Sequence, residues 1–427
     1  MVEAQSIKVL SLNDAIKMGV DNSRELKISQ SKANAASEKY KEYESSLYPT
    51  VKASAGYTRL SAIDPFTFQF PNSKERVTLF PVFLNSYTSQ VSAYEPIYTG
   101  LRAKYTLQAQ HFLDEASKFD VEKDKGEVVF NIVNAYYTVC KIRVSQSLME
   151  DNINEIKQHA KETEDYEKQG LAIKNDVLKI QLQLANAEFN KLDLQNSYDI
   201  AVYDLGIMLG MPVGSRIQVD TTNSFSNSVK ELKTADDYIK EALTNRTDIK
   251  ASESRNKASE SNLEVAKGVA RPQLGIGADF YLSNPNPRII PPEDIFKATW
   301  DAGIYLSYDV SSLYTNKHKV AQAKIQQEIT NEASALLMDN IRMEVHQSFT
   351  VYKESQQKIE LAKTTVVQAE ENYRTMKSRY TNHIALLSDL MDANQSLLQA
   401  KMNTELFKIE AETAYYKLMK AVGNLTK

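Results

Sequence analysis

Apolar residues recur at alternating spacings of three and four along residues 174–209, which is the period of a helix that packs along a seam. A second apolar stripe lies beside this seam, and a helix with two seams contacts two neighbours. The pattern therefore fits either a closed ring of helices or an ordinary long coiled coil. The seam consists of Val177, Ile180, Leu184, Ala187, Leu194, Tyr198, Ala201, Leu205 and Met208, and the stripe of Leu178, Leu182, Ala185, Phe189 and Leu192.

The same turn and helix return 213 residues further along the chain, with Asp389 in the place of Asp176. Residues 14–57 also match residues 237–280, at a constant offset of 223. Repetition on this scale indicates two copies of one structural unit. We expect a first repeat at residues 1–215, a linker at 216–234 and a second repeat at 235–427.

On either side of two proline-containing loops the pattern changes to strict alternation, which predicts strands with one apolar face. Val51 and Tyr57, for example, alternate with Lys52 and Thr58. Aromatic residues near the strand ends suit either a girdle at a membrane interface or the edge of a soluble β-sandwich. The predicted strands lie at about 50–60, 87–97, 273–283 and 299–310.

Strands of about ten residues are long enough to cross a bilayer when they are tilted. However, small membrane-spanning barrels start at about eight strands, and the sequence predicts only four. Several copies of the chain would therefore have to complete the sheet.

Two long proline-free stretches with helical periodicity follow the strand pairs. They predict long helices at about 101–168 and 315–382, each followed by a turn and a return helix, at about 174–209 and 388–422. At ~1.5 Å per residue, each long helix extends on the order of 100 Å, which is longer than a compact domain. The sequence thus predicts a mainly α protein with a smaller β portion.

Composition narrows the possible functions. The net charge of −4, with 25% charged residues, implies no basic face for nucleic acid. No run of 18 apolar residues predicts a transmembrane helix. Residues 1–6 lack the pattern of a signal peptide, so we expect a chain that is either not exported or already processed.

Patterns of catalytic or metal-binding residues are also missing. Cys140 is the only cysteine, and the five histidines are dispersed along the predicted helices. The sequence contains no HExxH, CxxC or GxSxG motif and no glycine-rich phosphate loop. We therefore expect no enzymatic activity, no cofactor and no metal site.

Three motifs, together with their order and the repetition of the whole arrangement along the chain, resemble the TolC outer-membrane efflux protein family. They are YEPIYTG (94–100) after a predicted strand, QGLAIKNDVL (169–178) at the turn, and LGMP (209–212) at the end of the return helix. The resemblance extends from Leu10 to Gly423. It implies a mainly α fold with a β-barrel portion: a homotrimer whose twelve strands, four per chain, close one barrel, which continues as a long α-helical coiled-coil barrel.

The resemblance also implies a function and partners. The barrel would lie in the outer membrane of a Gram-negative bacterium, in contact with its lipid, and the helices would extend into the periplasm. The chain would be the passive exit duct of a tripartite efflux or type I secretion system. Its partners would be a periplasmic adaptor (membrane fusion) protein and an inner-membrane RND or ABC transporter. The residues themselves leave open an alternative, a soluble coiled-coil scaffold whose β-hairpins mediate assembly.

Asp389 and Asp392 lie three residues apart at the start of the last helix, so their carboxylates share nearly one face. They match family positions at which aspartates constrict the pore, and in a trimer six acids would favour cations. The alternative is that these carboxylates only stabilise the positive N-terminus of the helix.

Asp176 and Tyr380 match family positions that link neighbouring helix pairs near the closed end of the duct. A phenol that donates a hydrogen bond to a carboxylate would hold that end shut. The basic residue that often strengthens this link in the family would fall at Ala385, which carries no charge.

The resemblance places adaptor contacts at the two turns, at Gly170 and Leu171 and at Asn382 and His383. Gly170 matches a glycine that permits a sharp turn, but its counterpart in the second repeat is His383. Either the histidine accepts the same backbone geometry, or it makes a pH-sensitive contact.

Overall fold

A computed structural model describes residues 8–71, 74–212, 215, 217–220 and 232–425. The helices are α1 (Leu12–Asn22), α2 (Arg24–Ser45), α3 (Arg102–Lys168), α4 (Lys174–Met208), α5 (Ala235–Asn245), α6 (Thr247–Gly268), α7 (Ser312–Thr381) and α8 (Leu387–Val422). The strands are β1 (Lys8–Leu10), β2 (Thr50–Arg59), β3 (Phe66–Gln69), β4 (Arg76–Phe80), β5 (Asn85–Tyr98), β6 (Ile217–Val219), β7 (Gln273–Asn284) and β8 (Lys297–Ser307). The fold is therefore mainly helical with a smaller β portion, as the sequence indicated.

The chain folds into two compact units. The helical unit comprises Met1–Lys32, Lys118–Ala251 and Ser334–Lys427, and the sheet unit comprises Ala33–Ser117 and Ser252–Ala333. Each unit contains segments from both predicted repeats. The compact units are thus a different division of the chain from the repeats, whose boundaries remain a prediction.

The main sheet of the sheet unit has the strand order β2-β5-β7-β8 and is antiparallel throughout. Its register places Ala53, Val91, Phe280 and Trp300 in one row across the four strands. Because side chains alternate along a strand, this row and its neighbours form a continuous apolar face, and polar side chains occupy the other face. Trp300 is 72% exposed, so nothing in the described chain covers this face.

Strands β3 and β4 form a separate two-stranded hairpin inside the predicted loop between β2 and β5. The sequence reasoning treated this segment as loop because Pro65, Pro71 and Pro81 interrupt it. The hairpin has an exposed apolar surface, formed by Phe66, Phe68, Phe70, Val77, Leu79 and Phe80.

The predicted linker at 216–234 contains a strand that the sequence reasoning missed. β6 pairs in parallel with β1, with Leu10 opposite Val219. The Tyr136 hydroxyl donates a hydrogen bond to the Leu10 carbonyl at 3.0 Å, which ties this small sheet to α3. Residues 221–231 of the predicted linker lie outside the described residues.

The core of the helical unit consists of three clusters of buried apolar side chains. One packs α1 and the β1–β6 pair against α3 and α4 and contains Cys140, which is fully buried as a small apolar residue. A second joins α5, α7 and α8. The third lies beside the α3–α4 and α7–α8 turns and contains Ile180 of the α4 seam together with Leu390 and Leu397 of α8. None of the helices in the described ranges contains an apolar stretch of the length that a membrane crossing needs.

Two helical glycines provide a test of packing in this unit. A Cβ added at Gly19 in α1 would lie 2.3 Å from Ile132 Cδ1, whereas one at Gly126 in α3 would meet nothing within 4 Å. Gly126→Ala should therefore stabilise the fold by about 0.5–1 kcal/mol, since alanine loses less backbone entropy in a helix. Gly19→Ala should destabilise it by about 1–3 kcal/mol through overpacking. Thermal unfolding of both variants, followed by circular dichroism, checks this, and shifts of the same sign would contradict the described packing.

Candidate gate at the helical turns

The turns that join the paired long helices have the same hydrogen-bonding pattern. In the α3–α4 turn, the amides of Gly170 and Leu171 donate to the carbonyls of Glu167 and Tyr166, at 2.9 and 2.8 Å. In the α7–α8 turn, the amides of His383 and Ile384 donate to the carbonyls of Tyr380 and Arg379, at 2.9 and 2.8 Å. This pair of bonds is the Schellman motif, which ends a helix with one residue in the left-handed conformation.

The left-handed residue is Gly170 in the first turn, with φ +75°, and His383 in the second, with φ +58°. His383 therefore accepts the geometry for which glycine is preferred. Its ring packs edge-on against Tyr166, with 4.7 Å between the ring centroids. The turn geometry, rather than a charged contact, thus accounts for the position of this histidine in the described chain.

Each turn exposes two aliphatic side chains at equivalent positions. Leu171 and Ile173 of the first turn are 55% and 64% exposed, and Ile384 and Leu386 of the second are 67% and 70% exposed. Asn382 instead closes its own helix end, since its side-chain amide donates to the Ser378 carbonyl at 2.8 Å. The predicted contact residues therefore lie on an exposed surface that is partly apolar.

Both predicted pore aspartates are exposed on the first two turns of α8. The Asp389 carboxylate accepts a hydrogen bond from the Leu386 amide at 3.3 Å, so it also caps the helix. The buried side chains Leu387 and Leu390 anchor this part of α8 in the core. Asp392 projects to a groove beside α8. The capping role and a pore-lining role are compatible, because a carboxylate has several acceptor sites.

Within the described chain, Tyr380 and Asp176 do not hydrogen-bond to each other. The buried Tyr380 hydroxyl lies 2.8 Å from Thr163 Oγ1, and the Asp176 carboxylate lies 3.9 Å from Lys179 Nζ. Burial raises the pKa of the Tyr380 phenol, and the nearby charge of Asp176 adds to this rise. The Tyr380 hydroxyl is thus already bonded inside its own chain.

A buried polar network that the sequence reasoning missed joins α3 to α7 above the turns. His159 Nε2 lies 2.8 Å from the Tyr373 hydroxyl, and His159 Nδ1 lies 3.1 Å from a carboxylate oxygen of Glu162. A carboxylate only accepts, so Nδ1 carries a proton, and in the neutral imidazole Nε2 then accepts from the Tyr373 hydroxyl. Burial raises the pKa of the Tyr373 phenol, with the charges of Glu155 and Glu162 adding to the effect, so the hydroxyl stays protonated and able to donate.

One turn further along α3, Thr163 continues the network. Its hydroxyl donates to the His159 carbonyl at 2.8 Å, so the Tyr380 hydroxyl is the donor in the bond to Thr163. His159 and Thr163 are 3% and 0% exposed. The only sequence signal of this network is the spacing of polar residues on apolar seams, four apart on α3 and seven apart on α7.

Comparison with known proteins gives a family and a set of similar folds. The family model described as outer membrane efflux protein matches residues 16–211 and 238–424. Comparison of the sequence with curated proteins gives no match.

Several solved structures share the fold over nearly their whole length. The outer membrane protein VceC from Vibrio cholerae matches with a TM-score of 0.81 and 16% identity, over 96% of this chain and 96% of its own. The CmeC outer membrane channel from Campylobacter jejuni matches with a TM-score of 0.78 and 16% identity, over 97% of this chain and 86% of its own. The open state of the MtrE outer membrane channel from Neisseria gonorrhoeae matches with a TM-score of 0.78 and 15% identity, over 97% of this chain and 89% of its own. At these identities the likeness concerns the fold.

The polar network generates a stability prediction. Tyr373→Phe leaves the buried Nε2 of His159 without its hydrogen-bond partner, which should cost about 1–3 kcal/mol of unfolding free energy. Tyr203→Phe is the matched control, because Tyr203 is 54% exposed and the same hydroxyl is removed. Denaturant unfolding in detergent measures both. If the two variants unfold at the same denaturant concentration, the network does not stabilise the contact between α3 and α7.

Proposed function

The chain belongs to the outer membrane efflux protein family and is an outer-membrane exit duct for efflux, and from this premise we propose how it assembles and what it contacts. Three copies form one passive conduit, whose energy is supplied by a separate transporter. The conduit has no catalytic activity of its own.

The observation that supports this proposal most strongly is a four-stranded sheet with two edges that stay unpaired in the described chain and an exposed apolar face. Among the described residues, β2 and β8 each pair on one side only, and the apolar face of the sheet is exposed. Unpaired strand edges are not tolerated in lipid, because no water is present to satisfy their amides and carbonyls. Joining β8 of one copy to β2 of the next, three times, gives twelve strands without an edge and directs the apolar face to lipid.

Exposed apolar stripes on the helices support the same assembly. On α4 most of the second stripe predicted from the sequence is exposed, with Leu182 at 63% and Phe189 at 65%. The buried residues of this helix, Val177, Ile180, Ala187 and Leu205, all belong to the first seam. On α7, Leu361 and Val367 are 70% and 63% exposed. Large apolar surfaces of this kind mark protein contacts. We assign them to neighbouring copies, which would close the helices into a ring.

The proposed location follows from this arrangement. The barrel lies in the outer membrane of a Gram-negative bacterium, and the helices extend into the periplasm. A periplasmic adaptor protein contacts the turns around Gly170, Leu171, Asn382 and His383, and an RND or ABC transporter in the inner membrane drives transport. The aliphatic side chains exposed at both turns support an adaptor contact at this end.

At the same end we propose a constriction and a gate. Asp389 and Asp392 of three copies form the narrow, cation-favouring part of the conduit. Asp176 and Tyr380 hold this end closed, either within a chain or between copies. Because the Tyr380 hydroxyl is bonded to Thr163 within its own chain, a bond to Asp176 requires that hydroxyl to rotate.

The constriction is tested by ion selectivity. In planar bilayers, Asp389→Asn combined with Asp392→Asn should lower the ratio of cation to anion permeability several-fold, towards one, because six carboxylates leave the narrow opening. Asp199→Asn combined with Asp204→Asn removes the same charge from exposed positions on α4 and serves as control. If both double variants change selectivity equally, these aspartates do not form the constriction.

The helical ring is tested on the exposed stripe. Leu182→Lys combined with Phe189→Lys places charges where α4 is proposed to meet a neighbouring copy, so the assembly should dissociate or fail to form. The folded chain should persist, because both side chains are exposed in the single chain. Light scattering after size exclusion measures the mass. A variant that keeps the mass of the unaltered protein would show that the stripe lies outside the interface.

A further inference from the structure

A groove in the helical unit combines an apolar floor with negative charge. It has a volume of about 680 Å³ and lies between α4 and α8, with α3 at its floor. Ligand sites for small molecules typically occupy roughly 300–1,000 Å³. Seven described residues of α4 border the groove, and the range over which they are spread, 183–197, extends over about 20 Å. The groove is therefore large and long enough for an extended small molecule.

The side chains of the groove are methionines and aliphatic residues, amides, two carboxylates and the hydroxyl of Ser197. The apolar group includes Met149 of α3 and Met391 and Met402 of α8. Methionine is flexible and polarisable, and it is frequent on surfaces that accept ligands of varied shape. The floor is thus suited to an apolar body without a fixed outline.

The charges of the groove are of one sign. Asp193 of α4 and Asp392 of α8 line it, and none of the described lining residues is a lysine, arginine or histidine. The nearest lysine along α4, Lys191, lies 3.2 Å from Glu150 across the α3–α4 pair, and neither of these two residues lines the groove. A ligand that packs against the apolar floor lies next to these carboxylates, so we expect it to carry positive charge.

One residue of the groove wall has an unpaired buried acceptor. Gln183 Oε1 has no hydrogen-bond partner among the described residues, although it is buried in the wall of the groove. The neighbouring amide of Asn152 is in contrast satisfied, since it accepts from Asn394 at 2.8 Å. Buried acceptors are usually paired. Because Gln183 Oε1 has almost no accessible surface beside the groove, an occupant would contact it only after the Gln183 side chain changes its rotamer.

We propose that this groove is a binding site for amphipathic organic cations, with Asp193 as the carboxylate specific to it. The inference rests on the proposed function, because Asp392 belongs to the proposed constriction and the groove would open beside it. It goes further than a ring of acids, which attracts any cation: an apolar floor next to Asp193 selects cations with an apolar body. Residues of one chain line the whole groove, so binding does not require a neighbouring copy.

The probe is tetraphenylphosphonium, and its control is tetraphenylborate, which has nearly the same size and apolar surface but the opposite charge. Calorimetric titration of the full chain in detergent, with a detergent blank, measures both affinities. Tetraphenylphosphonium should bind more tightly. Asp193→Asn should weaken its binding about two- to fivefold, as expected for loss of one exposed charge contact.

Two further variants separate the groove from its surroundings. Asp199→Asn removes an exposed carboxylate of the same helix that lies outside the groove, and it should leave the affinity unchanged. Met402→Gln keeps the length of the side chain but makes the floor more polar, and it should weaken tetraphenylphosphonium about twofold or more. It should leave binding of hexaamminecobalt(III), a cation without an apolar body, unchanged.

The proposed site would be contradicted if Asp193→Asn and Asp199→Asn bound tetraphenylphosphonium with equal affinity. It would also be contradicted if the unaltered protein bound tetraphenylborate as tightly as tetraphenylphosphonium. Channel currents in planar bilayers give a separate readout. If the protein binds tetraphenylphosphonium as expected but conducts no ions, the proposed duct is contradicted and the binding site in the groove stands. If it conducts ions but gives either of the titration results just named, only the binding site is contradicted.

Discussion

Backbone groups at the two edges of the four-stranded sheet are the constraint on which the rest of the structure depends. β2 and β8 present unpaired amides and carbonyls next to a largely apolar face, within the part of the chain that the structure describes. Exposure of the apolar face to water is unfavourable. Exposure of the strand edges to lipid is also unfavourable, because no solvent there forms hydrogen bonds with the unpaired amides and carbonyls. Closing the sheet on itself through further copies satisfies both requirements at once.

The helices meet a related requirement in a different way. Buried seams join α3, α4, α7 and α8 within one chain, while the second stripe of α4 stays exposed. Inside the unit, the His159–Tyr373 and Thr163–Tyr380 bonds cross from α3 to α7 among apolar side chains. Polar pairs in an apolar seam fix which residues face each other, because any other register leaves a buried group unpaired. The chain thus combines buried contacts within a copy with an exposed apolar stripe, which we propose lies against a neighbouring copy.

Much of this architecture was predictable from the sequence because it has a period. Alternation at about 50–60 and 299–310 predicted the edge strands, which lie at Thr50–Arg59 and Lys297–Ser307. Proline-free helical periodicity predicted the long helices, and heptad spacing predicted the return helices. The β3–β4 hairpin also alternates at Phe66, Phe68 and Phe70, but neighbouring prolines concealed it. β1 and β6 have three residues each, which is too short for a period to show, and they pair across more than 200 residues of chain.

The candidate gate was predictable in position but not in its bonds. The repeat placed Gly170 and His383 in equivalent turns, and both adopt the left-handed conformation. Which hydroxyl Tyr380 contacts depends on the rotation of α3 against α7, and spacing along a single helix does not record that rotation. The pairing with Thr163 therefore emerges only when both helices are seen together.

The central claim is that three copies share one closed sheet, and the mass of the intact assembly tests it most directly. Native mass spectrometry of the protein released from detergent micelles should give about three times the 48.2 kDa mass of the chain. A chain that is monomeric and stays soluble without detergent would contradict the claim, because its sheet edges and apolar face would then need no partner.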